Sequence, residues 1–265
     1  MFKHQMRRMA CGLVAMLALV ACGGSPTNVN VPRNTQSPVV RRMQPLVNNP
    51  VALSGNGNQE GAFLLSGVRE RVSTATSFGA TVRSYSQGYY KEGKRESEMR
   101  QASSEMRLLW ARPTRMRIEM VMTTVAIAEG ALLVTMDSVN YRVRAKGLLG
   151  FIPFSLLASH PGLNSNRNHP INDEAPIAQM RRLSAPGAVW SVVGGAEISG
   201  TPIRLIQVDN VKRLDAEVTR EIIGVDPQQM ALRRVINYNG STRVSEHVLT
   251  KFVWNTPTRT EQFTL

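Results

Sequence analysis

The sequence predicts a mainly β chain with a few helices, in which a curved antiparallel sheet forms an unclosed barrel covered by an N-terminal helix and a short lid helix. Three observations predict it. Short runs of alternating apolar and polar residues recur through the C-terminal two hundred residues, separated by turn residues. One amphipathic helical stretch precedes them, and one dense apolar segment interrupts them.

The elements follow in order. Lys3, Arg7 and Arg8 precede an apolar run from Ala10 to Ala21, which is too short to cross a bilayer and has the proportions of a signal-peptide core. It ends in Leu19-Val20-Ala21-Cys22-Gly23-Gly24-Ser25. This resembles the lipobox of bacterial lipoproteins, which implies cleavage before Cys22 and a lipid on its thiol. Residues 1–21 are therefore read as a lipoprotein signal peptide. Residues 22–60, rich in Asn, Pro, Gly and Ser, are read as a flexible tether, because such a stretch buries too little apolar surface to offset its ordering entropy. Residues 61–265 form one domain, large enough for a core of its own.

Within the domain, Phe63, Leu64, Leu65, Val68 and Val72 suit one face of a helix over residues 61–76. Strands are expected at 78–90, at 98–110 before Arg112-Pro113, and through Met116, Ile118, Met120 and Met122. Further strands are expected at 131–136, 138–144, 189–198, 201–209, 219–225, 230–237, 241–253 and 260–265. The segment 147–158 is dense in large apolar residues. Pro153 suits the first turn of a short helix over 153–158, apolar nearly all round, that would lie across the mouth of the sheet. Residues 159–175, polar and rich in Asn and Pro, read as a mobile loop.

Composition and motifs argue against catalysis. The two cysteines are Cys11, within the signal, and Cys22, so the domain has no disulfide, thiolate nucleophile or cysteine metal site. His160 and His169 match no zinc spacing, and Asp173-Glu174 reads as a solvated loop pair. His247 and Glu246, adjacent on a strand, point to opposite faces. No G-x-S-x-G, Walker loop or G-x-G-x-x-G after a strand is present. The chain is read as a binder and not an enzyme, with no catalytic residue, metal or cofactor. Trp110, Trp190 and Trp254 on strands, and Met106, Met116, Met120, Met122 and Met136, suit either a plain core or a wall for apolar ligands. The chain carries +13, and loss of Lys3, Arg7 and Arg8 leaves +10, a balance that favours anionic partners. For an exported, tethered chain these are lipid headgroups or lipopolysaccharide, with nucleic acid not expected.

Taken together, the segment Leu108-Leu109-Trp110-Ala111-Arg112-Pro113-Thr114-Arg115-Met116-Arg117, the run Ile152-Pro153-Phe154-Ser155-Leu156-Leu157, and the later series Trp190, Gly200, Val225-Asp226-Pro227, Arg233, Asn239-Gly240, Phe252, Asn255 and Phe263 resemble the LolA–LolB superfamily of periplasmic lipoprotein carriers. The resemblance covers residues 61–265. It implies an eleven-stranded, unclosed barrel whose apolar cavity takes acyl chains of lipoproteins or other lipids. Phe151, Phe154, Leu156, Leu157, Trp110 and Met120 would line the lid and cavity, and Arg112, before the proline, would help control lid closure. Two features depart from the pattern. Cys22 points to the acceptor-like side or to a separate lipid-anchored branch, facing the periplasm from the outer membrane, and Glu129-Gly130 replaces the usual Asp-Gly turn. The alternative reading is a non-transporting sensor or scaffold module of the same fold that binds an envelope protein.

Overall fold

The computed structural model describes residues 57–124, 129–145 and 153–265. The segment read as a signal peptide, Cys22, nearly all of the segment read as a tether, and Phe151 lie outside the described residues. Helix α1 spans Gly57–Thr74. It turns Leu64, Leu65, Val68 and Val72 inward, while Phe63, about a quarter-turn away from Leu64, is 65% exposed. Gly61 is required at its place, because a Cβ there would fall 1.9 Å from the Trp190 carbonyl oxygen.

Eleven strands follow: β1 (Ser77–Lys91), β2 (Lys94–Ala111), β3 (Arg115–Thr123), β4 (Leu132–Thr135), β5 (Asn140–Arg144), β6 (Phe154–Leu157), β7 (Val189–Ile198), β8 (Thr201–Asp209), β9 (Arg220–Asp226), β10 (Ala231–Asn239) and β11 (Thr242–Trp254). They form one antiparallel sheet in the order β6-β5-β4-β3-β2-β1-β11-β10-β9-β8-β7, with β6 and β7 at its two edges. The unclosed, mainly β architecture is the one the alternation predicts. At Glu92-Gly93 and Ser199-Gly200 both turn residues take positive φ, which matches the twist of a two-residue hairpin. Gly130 likewise takes a φ of 74°, so the Glu129-Gly130 replacement keeps a turn.

Inward-facing side chains alternate along each strand and pack with α1. Phe78 on β1 stacks at 5.6 Å on Trp110 and 5.4 Å on Phe252, and meets Trp254 edge-on at 5.8 Å. At the bulge between Leu232 and Arg234 the extra residue, Arg233, donates to the Leu249 carbonyl and pairs with buried Asp226 at 3.1 Å. On the outward side, Ile198, Ile203, Leu205 and Val248 form a second, smaller apolar cluster.

Two expected elements are corrected. The lid helix over 153–158 is instead edge strand β6, with Phe154 opposite Val143, Ser155 opposite Arg142, Leu156 opposite Tyr141 and Leu157 opposite Asn140. A six-residue helix would carry the full nucleation cost for barely more than one turn. As a strand, the segment gains ladder hydrogen bonds and turns Phe154 and Leu156 inward. Residues 260–265 are not a strand either. Pro257 lacks the N–H a ladder needs, and Thr260–Phe263 forms a 3-10 helix that buries Phe263 beneath the Arg115 guanidinium, 5.2 Å from the ring centroid.

Candidate functional site

The inward face of β1–β3 and β8–β11 is a continuous apolar wall that includes Val82, Leu108, Trp110, Ile118, Ile206, Ile223, Val235 and Leu249. The element lying on it is helix α3 (Pro176–Leu183), which follows the one-turn helix α2 (Ile171–Glu174). Ile177, Met180 and Leu183 recur every three residues and reach into the wall, and Pro176 occupies the first turn, where no N–H is needed. The short apolar helix expected across the sheet at 153–158 is thus found at residues 176–183. The spacing of Ile177, Met180 and Leu183, together with Pro176 and the closing Arg181-Arg182, carries a legible helix signal.

Polar groups fasten the C-terminal end of this helix and the helix α2 that precedes it. At its C-terminus the Leu183 carbonyl accepts from Trp190 Nε1 at 2.9 Å, and the Ser184 and Ala185 carbonyls accept from the Arg69 guanidinium of α1. Arg182 reaches the fully buried Glu221 of β9 at 2.9 Å, and Arg213 meets the same carboxylate at 2.7 Å. Arg181 lies over the Trp110 ring at 5.9 Å. At the N-terminal side, Asn172 accepts from Tyr141 Oη at 2.6 Å and donates to the Ser138 carbonyl at 2.7 Å.

The loop before α2 is far from solvated. His169 is buried, with Nδ1 3.0 Å from Glu174 and Nε2 2.8 Å from Asp215. Burial opposes protonation of this imidazole, yet the hydrogen bonds to Asp215 and Glu174 outweigh it and raise its pKa to about 9. Asp215 is held down at about 2, since bonds from His169 and Arg167 overcome the burial that would raise it. Glu174 is also shifted down, burial again being outweighed by His169. Arg167 adds bonds to Asp215 and to the Gln87 carbonyl. The loop expected to be mobile is thus tied to β1 and to the β8–β9 connection.

Among the described residues, α3 packs onto the concave face, and a space of about 10 Å³ lies beneath it, lined by Val82, Leu232, Val235 and Leu249 with Glu174 and His247. That is about the room of a single water. Glu174 and His247 do converge, against the reading of Glu174 as solvated, but among the described residues no Ser, Thr or Cys lines the space. His247 is pushed below its ordinary pKa by burial. His160 stands apart and accepts a hydrogen bond from the Gly162 N–H.

The remaining expected site residues fall as follows. Trp110 is buried in the wall, while Met120, Phe154 and Leu156 are half-buried against it. Leu157 points away and is 56% exposed. The side-chain hydrogen bonds of Arg112 go to the C-terminal end of α1 and not to α3. Its guanidinium donates to the Val72 carbonyl at 2.9 Å and to those of Ser73 and Ala75, capping the C-terminal end of α1.

No protein-family model and no curated protein matches the chain. Among solved structures it is similar to the lipoprotein LppX of Mycobacterium tuberculosis, with 14% identity, 75% of this chain and 98% of that chain covered, and a TM-score of 0.42. It is also similar to MucB in the MucA/MucB complex of Pseudomonas aeruginosa, with 12% identity over 78% of this chain and 61% of that chain, and a TM-score of 0.40. A LolA superfamily protein from Nitrosomonas europaea shares 9% identity over 80% of this chain and 99% of that one, with a TM-score of 0.33. These are likenesses of overall fold, and they include the family that the motifs resemble.

Proposed function

We propose that this chain is a lipid-anchored envelope protein that binds acyl chains of lipoproteins or other lipids against its concave wall, with α3 as a displaceable plug, for transport or insertion at the outer membrane. The observation that carries this reading is the form of the plug: one short helix with three apolar side chains, fastened to the sheet at its C-terminal end through Arg182 and Glu221 and preceded by α2, which Asn172 ties to the Ser138 carbonyl.

The magnitudes allow exchange. Re-exposing Ile177, Met180 and Leu183 costs about 1.5–3 kcal/mol each. An acyl chain of about fifteen methylenes returns roughly 12 kcal/mol at about 0.8 per CH₂. The surplus is small once the Arg182–Glu221 pair must also open, so the plug stays shut until a ligand replaces it.

Native mass spectrometry of the chain carrying Cys22→Ser, which removes the anchor's own acyl groups, tests this after addition of palmitate or a diacylated lipopeptide. A one-to-one adduct is expected, together with a change in tryptophan emission as Trp190 loses its bond to Leu183. A clean apo mass with unchanged emission overturns it. That result would favour the second reading, a filled half-barrel that binds an envelope protein, which the packed interior supports.

A further inference from the structure

The β4–β5 turn and edge strand β6 carry an exposed apolar tip that the plugged wall does not use. Met136, Val139 and Leu157 are 43%, 55% and 56% exposed, and the pairing of Leu157 with Asn140 sets all three at the same end of the β5–β6 hairpin. The turn that bears Met136 and Val139 is rigid. Asp137 accepts from the Val139 and Asn140 N–H groups at 2.8 Å each, and Thr135 Oγ1 accepts from the Ser138 N–H at 2.9 Å. Thr114 Oγ1 holds the Met136 carbonyl at 2.7 Å. These side chains are therefore fixed outward by the backbone and are not the loose end of a soft loop.

Behind the tip, on the same outward face as Asn140, stand Arg142, opposite Ser155, and Arg144 beyond it. Both are exposed, and neither is paired with a carboxylate among the described residues. At the rise of a strand they lie about 7 and 13 Å behind Asn140. Arg142, one step behind the tip, brings its guanidinium on a flexible stem into a headgroup layer that the apolar tip enters, while Arg144, a further step back, faces the outer edge of that layer. Asp137 is the opposing charge in the turn; four donors, the Val139 and Asn140 N–H groups, Asn140 Nδ2 and Thr135 Oγ1, hold its carboxylate ionised, and the two arginines outnumber it.

We propose that this tip is a docking surface for an anionic lipid bilayer, with Met136, Val139 and Leu157 entering the interface and Arg142 and Arg144 binding lipid phosphates. Charge selects this occupant: the whole chain is strongly basic, and the patch joins unpaired arginines to exposed apolar groups, as membrane-surface segments do. The inference stands apart from acyl binding on the concave wall.

The test uses the full chain with Cys11→Ser and Cys22→Ser, leaving no native cysteine, and an environment-sensitive dye on Val139→Cys or Leu157→Cys. Val193→Cys on β7, at the opposite edge and 45% exposed, is the control. With vesicles of equal parts phosphatidylglycerol and phosphatidylcholine, the dye is expected to shift to the blue and be quenched by brominated lipid at 139 and 157 but not at 193. Replacing Arg142 and Arg144 with serine should lower the partition coefficient about thirtyfold, roughly a factor of five for each basic residue near an anionic surface. Equal behaviour at all three positions overturns the proposal. So does a dimer whose formation, without lipid, buries the 139 and 157 labels, which would make the edge of β6 a contact between copies.

Discussion

At the scale of single residues, two side chains join parts of the chain that are distant in sequence. Arg112 closes the end of α1 from a strand turn, and His169 joins the loop before α2 to Asp215. His169 has a consequence for stability. Its pKa is raised in the fold to about 9 from 6.5, so the stability it confers is fully present below pH 6.5 and is lost as pH rises toward 9. His247 acts in the opposite sense. Its pKa is lowered in the fold, so its contribution is present above 6.5 and is lost as the unfolded chain takes up a proton below that. Chemical denaturation from pH 5 to 9.5 should therefore find maximal stability near pH 6.5, and His169→Gln should flatten the alkaline limb. An unchanged alkaline slope in that variant would show that the His169 pair does not hold the loop. None of this was legible in the sequence. His169 and Asp215 are 46 residues apart, and a lone histidine among Asn and Pro residues gives no sign of its partners. Arg112 was singled out by its neighbour Pro113, but its three carbonyl partners follow from where α1 ends.

Among the elements, strands were legible where period-two alternation ran between clear turns. The expected 189–198 and 201–209 coincide with β7 and β8, and the flanking Ser199-Gly200 explains why. The run at 153–158 misled because a short segment, apolar but for Ser155, has too little period to read, and length alone decides between helix and strand. Helix α3 had the better claim to be the lid, but its polar surroundings at 159–175 concealed it. Its role as a plug predicts an unusual pairing of effects. Met180→Ala and Leu183→Ala should each cost about 2–5 kcal/mol of stability, as a core deletion does. Each should also tighten binding of a fluorescent fatty acid by roughly tenfold or more, because the shut state that competes with the ligand is weakened. Ile223→Ala, in the wall itself, should lose stability without tightening binding. Calorimetry and fluorescence titration on the three variants separate the cases. If Met180→Ala and Leu183→Ala destabilise yet leave affinity unchanged, α3 is ordinary core and not a plug.

On the scale of the whole molecule, the proposed anchor and the proposed tip hold the chain to a bilayer by forces of different kind. A diacylated Cys22 would be retained through tens of buried methylenes at about 0.8 kcal/mol each, an attachment indifferent to salt. The Arg142–Arg144 face would be held by charge, which is screened within about 10 Å at 0.1 M salt and about 3 Å at 1 M. The two therefore come apart in fractionation of cells. The unmodified chain is expected to stay with outer membranes through a high-salt wash and to take up labelled palmitate. With Cys22→Ser the label should be lost, while part of the protein still sediments with membranes at low salt and is released as salt rises. Adding Arg142→Ser and Arg144→Ser to that variant should make it fully soluble at either salt. Labelling that survives Cys22→Ser would overturn the anchor. A Cys22→Ser protein equally soluble at low and high salt would remove the need for a second, electrostatic hold on the membrane.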